Sequence, residues 1–429
     1  MSTLRNIAYV GTGTAVRLGC GILNFVVMPR MLGPEAFSVF MLWFSVAMLI
    51  ALLTNFGFPT YVLREGSAAR ERLSRLLGEV VTANLLISLT VLVVSVCALP
   101  FIPQEHWPIF LVLLLAKLVD SAGEILSVGY RVTGRFDTEA RIAVVTSLCQ
   151  LPVTIGALYL YRDPLSGAVA FLLVRVSVLV FTIRTLRGYL ADIHLGRVKA
   201  ALGHFRNAWA YAADFGLQNL FGQIDSVVLA QYIGVSAVGV YQAGMRLFVG
   251  AAQAVFVLGT VFVPKATAAY TAGQGAERVL KQLQLSFFVV GCAGSMVFVL
   301  FAAPITNLLF GHRFAGLAEL LPIFGLLFFM RCLSAVWGVA LTIIGRQGSR
   351  FKLAALHWVL IFAASAYLVP EYGVSGWLYS LILGNVFLAA GYAVTCAASW
   401  KGVPVKSGAA IAATYFAILL TVMSAGAFR

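Results

Sequence analysis

The sequence predicts an all-α polytopic membrane protein, with two parallel six-helix repeats around a central cavity, about thirteen transmembrane helices and a cytoplasmic N-terminus. Three observations predict it. Apolar runs long enough to cross a bilayer follow one another along the chain. The cationic residues collect at every second gap between those runs. The two halves carry matching segments at a near-constant offset.

The chain has 429 residues, 61% of them hydrophobic and only 11% charged. A crossing needs roughly 20 mostly apolar residues, because the hydrocarbon core is about 30 Å thick and a helix rises about 1.5 Å per residue. The expected spans are 6–29, 37–58, 79–102, 108–130, 142–161, 165–185, 207–232, 236–263, 284–309, 316–344, 353–370, 374–397 and 407–427. They divide the chain into an N-terminal lobe (1–186), a linker (187–206), a C-terminal lobe (207–398) and an extra span (407–427).

Orientation follows from the positive-inside bias. With the N-terminus in the cytoplasm, the inside segments hold 21 of the 30 lysines and arginines, among them Arg64, Arg131, Arg135, Arg141, Arg197 and Arg346. The outside segments hold Arg30, Arg162, Arg313 and Arg429. Arg17, Lys117, Arg175, Arg246 and Arg331 fall inside spans. The net charge of +14 is thus accounted for by loops facing an anionic leaflet, with no call on nucleic acid. Span 1 has no small-residue cleavage site after a short apolar core, so it is expected to stay as an anchor. The six cysteines lie in or beside spans without a CxxC pair and are expected as buried free thiols. The five histidines form no metal spacing, and no GxxxxGK[ST] loop occurs; no metal or cofactor is expected.

The halves repeat. Leu32-Gly33-Pro34-Glu35-Ala36-Phe37-Ser38-Val39-Phe40 matches Ile233-Gly234-Val235-Ser236-Ala237-Val238-Gly239-Val240-Tyr241 at an offset of 201. Gly134-Arg135 meets Gly345-Arg346 at 211, and Leu165-Ser166-Gly167 meets Val374-Ser375-Gly376 at 209. Each half has six spans, an even number, so both start on the same side and the repeats run parallel. In the linker, Leu190, Ile193, Val198, Leu202 and Phe205 recur near helical spacing between cations. That pattern suits either an in-plane helix or a plain positive-inside loop.

Polar residues inside spans carry the functional signal, since a charge at mid-bilayer costs about 2.5–3.5 kcal/mol. Span 1 places Thr14, Arg17, Gly21 and Asn24 on one helix face, and span 7 does the same with Asp214, Gln218, Gly222 and Asp225. These stripes either line a cavity or pair within a packed bundle. Span 4 places Lys117, Asp120 and Glu124 on one face; Lys117 and Asp120 can pair internally, leaving Glu124 for a proton or cation. Arg175, Arg246 and Arg331 add positive charge, although the last two also suit snorkelling near span ends. Arginine's planar fork suits phosphate oxygens, so a pyrophosphate head group fits an arginine-rich pocket.

Leu32-Gly33-Pro34-Glu35-Ala36-Phe37 resembles the LGPxxF signature of polysaccharide exporters and O-antigen flippases of the multidrug/oligosaccharidyl-lipid/polysaccharide superfamily. Asn55-Phe56-Gly57, Ile224-Asp225, Gly239-x-Tyr241-x-Ala243-x-x-Arg246-Leu247 and Tyr372-Gly373-Val374-Ser375-Gly376 are similar to further stretches of that family. The chain departs from it at Ser38, usually Gly, at Asn55, commonly Asp, and in its odd span count. The resemblance implies a non-enzymatic flippase of a bacterial inner membrane. Its cargo would be a polyprenyl-pyrophosphate-linked oligosaccharide, with H+ or Na+ as coupling cation and a polysaccharide polymerase complex as partner. The candidate substrate contacts are Arg17, Asn24, Arg175, Gln218, Arg246 and Arg331; the candidate ion-coupling acids are Asp120, Glu124, Asp214 and Asp225. Two alternatives stand: a cation-coupled multidrug antiporter of the same superfamily, and a membrane polysaccharide polymerase or ligase. Short outside loops argue against the enzyme, and in-span arginines against the antiporter.

Overall fold

A computed structural model describes residues 2–188, 190, 194–220, 223–273 and 276–400. The expected span 407–427 and Gly222 lie outside the described residues, as do the side chains of Thr14, Asp214 and Gln218. Among the described residues every regular element is a helix. In chain order they are α1 (Ser2–Asn55), α2 (Phe58–Ala68), α3 (Leu73–Cys97), α4 (Trp107–Thr133), α5 (Phe136–Tyr161), α6 (Pro164–Arg187), α7 (Val198–Leu220), α8 (Ile224–Tyr232), α9 (Val235–Thr271), α10 (Ala276–Leu300), α11 (Ala302–Leu309), α12 (Ala315–Ile343) and α13 (Gln347–Ser399).

Seven stretches among them are long and apolar enough to cross a membrane. Two of these, Gly19–Ala68 and Gln347–Ser399, are 50 and 53 residues long. Each exceeds one crossing and is broken by a glycine in a non-helical conformation, Gly33 (φ 79°) in α1 and Gly373 (φ 59°) in α13. Helix α4 is not among the seven, because Lys117, Asp120 and Glu124 run through its middle.

The duplication is visible in the backbone. Helix α4 ends with Gly134 in the left-handed region, its N–H donating to the Arg131 carbonyl and the Arg135 N–H to that of Tyr130. The turn after α12 repeats this: the Gly345 N–H donates to the Thr342 carbonyl and the Arg346 N–H to that of Leu341. Both are helix ends of the Schellman type, at the offset of 211 that the sequence carries. Gly33 and Gly234 also share positive φ, at 79° and 107°, at the offset of 201.

The chain forms two compact units, 1–239 and 240–429. The first extends to Gly239 because α7 packs on α1, α2 and α3, and α8 packs on α1. Ser38 adds to this by accepting the Gly239 N–H at 2.9 Å and donating to the Ser236 carbonyl at 3.0 Å. The linker has no regular secondary structure over 194–197 and is helical from Val198. Span 7 is divided between α7 and α8.

In the first unit, Phe58, Leu73, Leu77, Ile125, Tyr130 and Leu186 are buried together where α2, α3, α4 and α6 meet. In the second, Leu283, Phe287, Trp337, Leu341, Leu388 and Tyr392 do the same for α10, α12 and α13. Of the cysteines, Cys20, Cys332 and Cys396 are buried free thiols, whereas Cys97 and Cys149 are exposed on the outer faces of α3 and α5. That corrects the expectation of burial for all six.

Candidate functional site

Helix α5 reverses the pattern of a water-soluble helix. Ser147, Gln150 and Thr154 are buried, whereas Val145, Leu148 and Val153 are exposed. Apolar side chains outward and polar ones inward is the arrangement that hydrocarbon imposes. The polar faces of α1, α4, α5 and α6 converge on a cavity of about 560 Å³ within the first unit. Its lining follows helical spacing: Arg17, Gly21, Asn24 and Met28 on α1; Lys117, Asp120, Glu124, Ser127 and Arg131 on α4; Ile142, Thr146, Gln150 and Thr154 on α5; and Gly167, Phe171, Arg175 and Thr182 on α6. Phe40, Phe44 and Asn55 from the second half of α1, Pro59 and Thr60 from α2, and Phe215 from α7 also line it.

The charged floor is a connected set. Asp120 lies between two cations, 4.0 Å from Lys117 Nζ and 3.2 Å from Arg175 Nη1. Lys117 Nζ also stands 4.3 Å from the centre of the Phe44 ring and 5.1 Å from that of Phe171. Arg175 Cζ is 4.7 Å from the same Phe171 ring. The ring quadrupole offsets part of the cost of holding cations away from water. The expected Lys117–Asp120 pair is therefore present, but it is one side of a bridge to α6.

Glu124 is not left alone, as its position on α4 suggested. Its Oε2 accepts a hydrogen bond of 2.8 Å from Asn55 Nδ2. Asn55 reaches it because α1 ends there: Phe56 and Gly57 both take positive φ, 47° and 63°, and turn the chain into α2. A Cβ on Gly57 would meet the Tyr211 backbone, so only glycine lets α7 approach this turn. At the other end of the cavity, Arg131 on α4 pairs with Glu139 on α5 at 2.7 Å.

Of the residues singled out in the sequence, Arg17, Asn24, Asp120, Glu124 and Arg175 thus share one cavity, while others lie elsewhere. Asp225 is buried at the start of α8, where its Oδ1 accepts the Ser226 N–H at 2.7 Å. Arg246 is half-buried on α9, and Arg331 on α12 offers its carbonyl to Ser334 Oγ. Asp214 and Gln218 fall on α7 with undescribed side chains. The sequence reading missed Phe44, Phe171 and the α5 face. The latter was detectable, since Thr146, Gln150 and Thr154 recur every fourth residue in an otherwise apolar span.

The profile of the polysaccharide biosynthesis protein family matches residues 3–269. No curated protein matches the chain. Among solved structures, the chain is similar to the lipid II flippase MurJ in an inward closed conformation: TM-score 0.73, 14% identity, covering 98% of this chain and 93% of that one. It is also similar to an inward-facing multidrug resistance MATE family transporter of the MOP superfamily, with TM-score 0.66, 16% identity, and coverage of 92% and 99%. A MOP superfamily transporter from Pyrococcus furiosus, described as having a binding pocket of reverse polarity, follows at TM-score 0.56, 19% identity, and coverage of 91% and 94%. At these identities the likeness is one of fold.

Proposed function

We infer the function from one premise: the chain belongs to the family of polysaccharide biosynthesis proteins. It is an all-helical, multi-pass membrane protein with the fold of flippases and transporters. In our reading it is a flippase. It turns a polyprenyl-pyrophosphate-linked oligosaccharide, an O-antigen, capsule or exopolysaccharide unit, from the cytoplasmic to the outer leaflet of a bacterial inner membrane. It does so by alternating access, with its N-terminus cytoplasmic, and hands the unit to a polysaccharide polymerase.

The observation that carries this reading is the polar cavity within a unit whose outer helix faces are apolar. A lipid tail can stay in the bilayer while its sugar head occupies such a space. Arg17, Asn24 and Arg175 are our head-group contacts in it, with Gln218, Arg246 and Arg331 as further contacts elsewhere. Asp120 and Glu124, with Asp214 and Asp225, are our candidates for H+ or Na+ coupling. A coupled cation gains about 2.3 kcal/mol per 100 mV, enough to set direction. No residue is given a catalytic role. The rival is a cation-coupled multidrug antiporter, favoured by the likeness to MATE structures. Against it, Arg17, Lys117 and Arg175 would repel a cationic drug from this cavity.

The test is lipid extraction from a strain lacking the gene. The reading expects an accumulated complete lipid-linked repeat unit, lost surface glycan and unchanged drug sensitivity. No accumulation together with new sensitivity to cationic dyes would replace it by the antiporter.

A further inference from the structure

Helix α1 ends on a turn that touches the acid Glu124 on one side and α7 on the other. Phe56 holds φ at 47°, a left-handed value that strains a bulky side chain, and Gly57 follows at 63°. A residue keeps such a conformation only where its neighbours impose it. On the cavity side the holder is Asn55, the last residue of α1, whose Nδ2 donates to Glu124 Oε2 at 2.8 Å. On the other side the turn presses on α7. The Phe56 ring meets Phe205 edge-on at 5.2 Å, and the Tyr211 backbone occupies the place of a Gly57 Cβ. The Tyr211 hydroxyl in turn accepts from Arg64 of α2 at 2.6 Å. The two ends of this chain of contacts differ in access. Glu124 is exposed and lines the cavity, so a proton entering that space reaches it. Asn55 is 4% exposed and meets the change in charge through the carboxylate.

We propose that Asn55 is a positioning residue that passes the charge state of Glu124 to α7 through the strained turn at Phe56 and Gly57. The inference rests on the flippase reading for the role of Glu124 as a coupling acid. A hydrogen bond to an ionised acceptor is about twice as strong as one between neutral groups. With Glu124 ionised, its bond to Asn55 holds the turn and keeps Phe56 and Gly57 against α7. When Glu124 takes up a proton the bond weakens, Phe56 relaxes toward negative φ, and the contacts with Phe205 and Tyr211 shift. Coupling of this kind needs contiguous contacts with two arrangements, and the left-handed Phe56 supplies the second. The charges that face Glu124 are Arg17 on α1, Lys117 and Asp120 on its own helix, and Arg175 on α6. From α5 comes Glu139, which is paired with Arg131. Asp120 joins α4 to α6 through Arg175, whereas Glu124 joins it to the end of α1, so the two acids address different helices.

The test uses the full chain in lipid nanodiscs, stripped of its native cysteines and spin-labelled at Ala210→Cys, an exposed α7 position beside Tyr211. Electron paramagnetic resonance follows the label's mobility between about pH 5 and 9, a range that covers ordinary imidazoles and raised carboxyls. The parent is expected to shift from one spectrum to another as the pH falls. Glu124→Gln is expected to show the low-pH spectrum throughout, because its amide oxygen accepts from Asn55 without a charge. Phe56→Gly is expected to lose the shift, because glycine takes the left-handed turn without strain. A merely structural turn would leave the parent's pH profile in both variants, and that result overturns the proposal. So does a parent whose spectrum ignores pH. So does a shift that survives Glu124→Gln, which would place the titrating group elsewhere, His204 being the imidazole on α7. Failure of the flippase reading is separate, since it shows in the lipid extract of the deletion strain.

Discussion

At the scale of single residues, two acids inside the spans are each answered by other residues. Glu124 is answered by Asn55, and Asp120 by Lys117 and Arg175. Glu124→Gln keeps an oxygen for the Asn55 N–H and removes the charge. It is therefore expected to melt within a few degrees of the parent in detergent, yet to accumulate lipid-linked oligosaccharide like the deletion strain if this carboxylate couples transport. Normal transport by a stable Glu124→Gln protein would remove it from the coupling list. Asn84 is a different case. It is fully buried on α3, donating to the Thr54 carbonyl of α1 at 2.7 Å and to Ser121 Oγ of α4 at 3.0 Å. Hydrogen bonds between membrane helices contribute about 0.6–1.7 kcal/mol. Asn84→Leu is expected to cost stability of that order, read as a drop of roughly a few degrees in melting temperature; an unchanged melt would mean that leucine packing replaces the node. The charged half of the site was legible from the sequence, because charges in apolar spans stand out. Asn55 was not legible as a partner of Glu124. The two are 69 residues apart, and only the positive φ at Phe56 and Gly57 brings that end of α1 onto α4.

At the scale of elements, helical periodicity showed the polar faces of α1 and α4, but it left that of α5 unread and could not say what α7 packs on. The linker was open between an in-plane helix and a plain loop. Its irregular part, 194–197, is held against α3, where the Gly196 N–H donates to Thr82 Oγ1 at 2.9 Å and approaches the Gly78 carbonyl at 3.2 Å. A Cβ on Gly78 would meet the His194 carbonyl, and one on Gly196 would lie 2.7 Å from Glu79 Cα. In the second turn of α7, His204 Nε2 lies 3.0 Å from Glu79 Oε2, and its Nδ1 lies 2.9 Å from the Tyr61 hydroxyl. A carboxylate only accepts, so the imidazole donates to Glu79 through Nε2 and the phenol donates to Nδ1. Gly78→Val is therefore expected to lift 194–197 off α3 and expose Arg197 and Lys199 further. In limited trypsinolysis of detergent-solubilised protein, cleavage there should speed up several-fold. Equal cleavage rates would mean that the His204 contacts hold the segment without the glycine approach.

At the scale of the whole molecule, the sequence contains the duplication twice, as matching residues and as matching turns. Residue matches alone were short. The paired helix ends at Gly134 and Gly345, bonded alike at an offset of 211, supply what similarity of letters could not. If both halves entered the membrane from one side, as the charge bias requires, sites equivalent by duplication must face the same compartment. Single cysteines placed in a background stripped of the native six can report this with a membrane-impermeant maleimide. Arg135→Cys in the first unit and Arg346→Cys in the second are exposed positions in the two matching turns. Both are expected to label only after spheroplasts are lysed. Asp163→Cys, in the exposed turn between α5 and α6, is expected to label in intact spheroplasts. The inverse pattern at all three would turn the chain over and send the proposed flipping direction with it. Labelling of Arg135→Cys and Arg346→Cys from opposite sides would be more damaging. An odd number of crossings would then separate equivalent turns, and a parallel duplication could not have produced this chain.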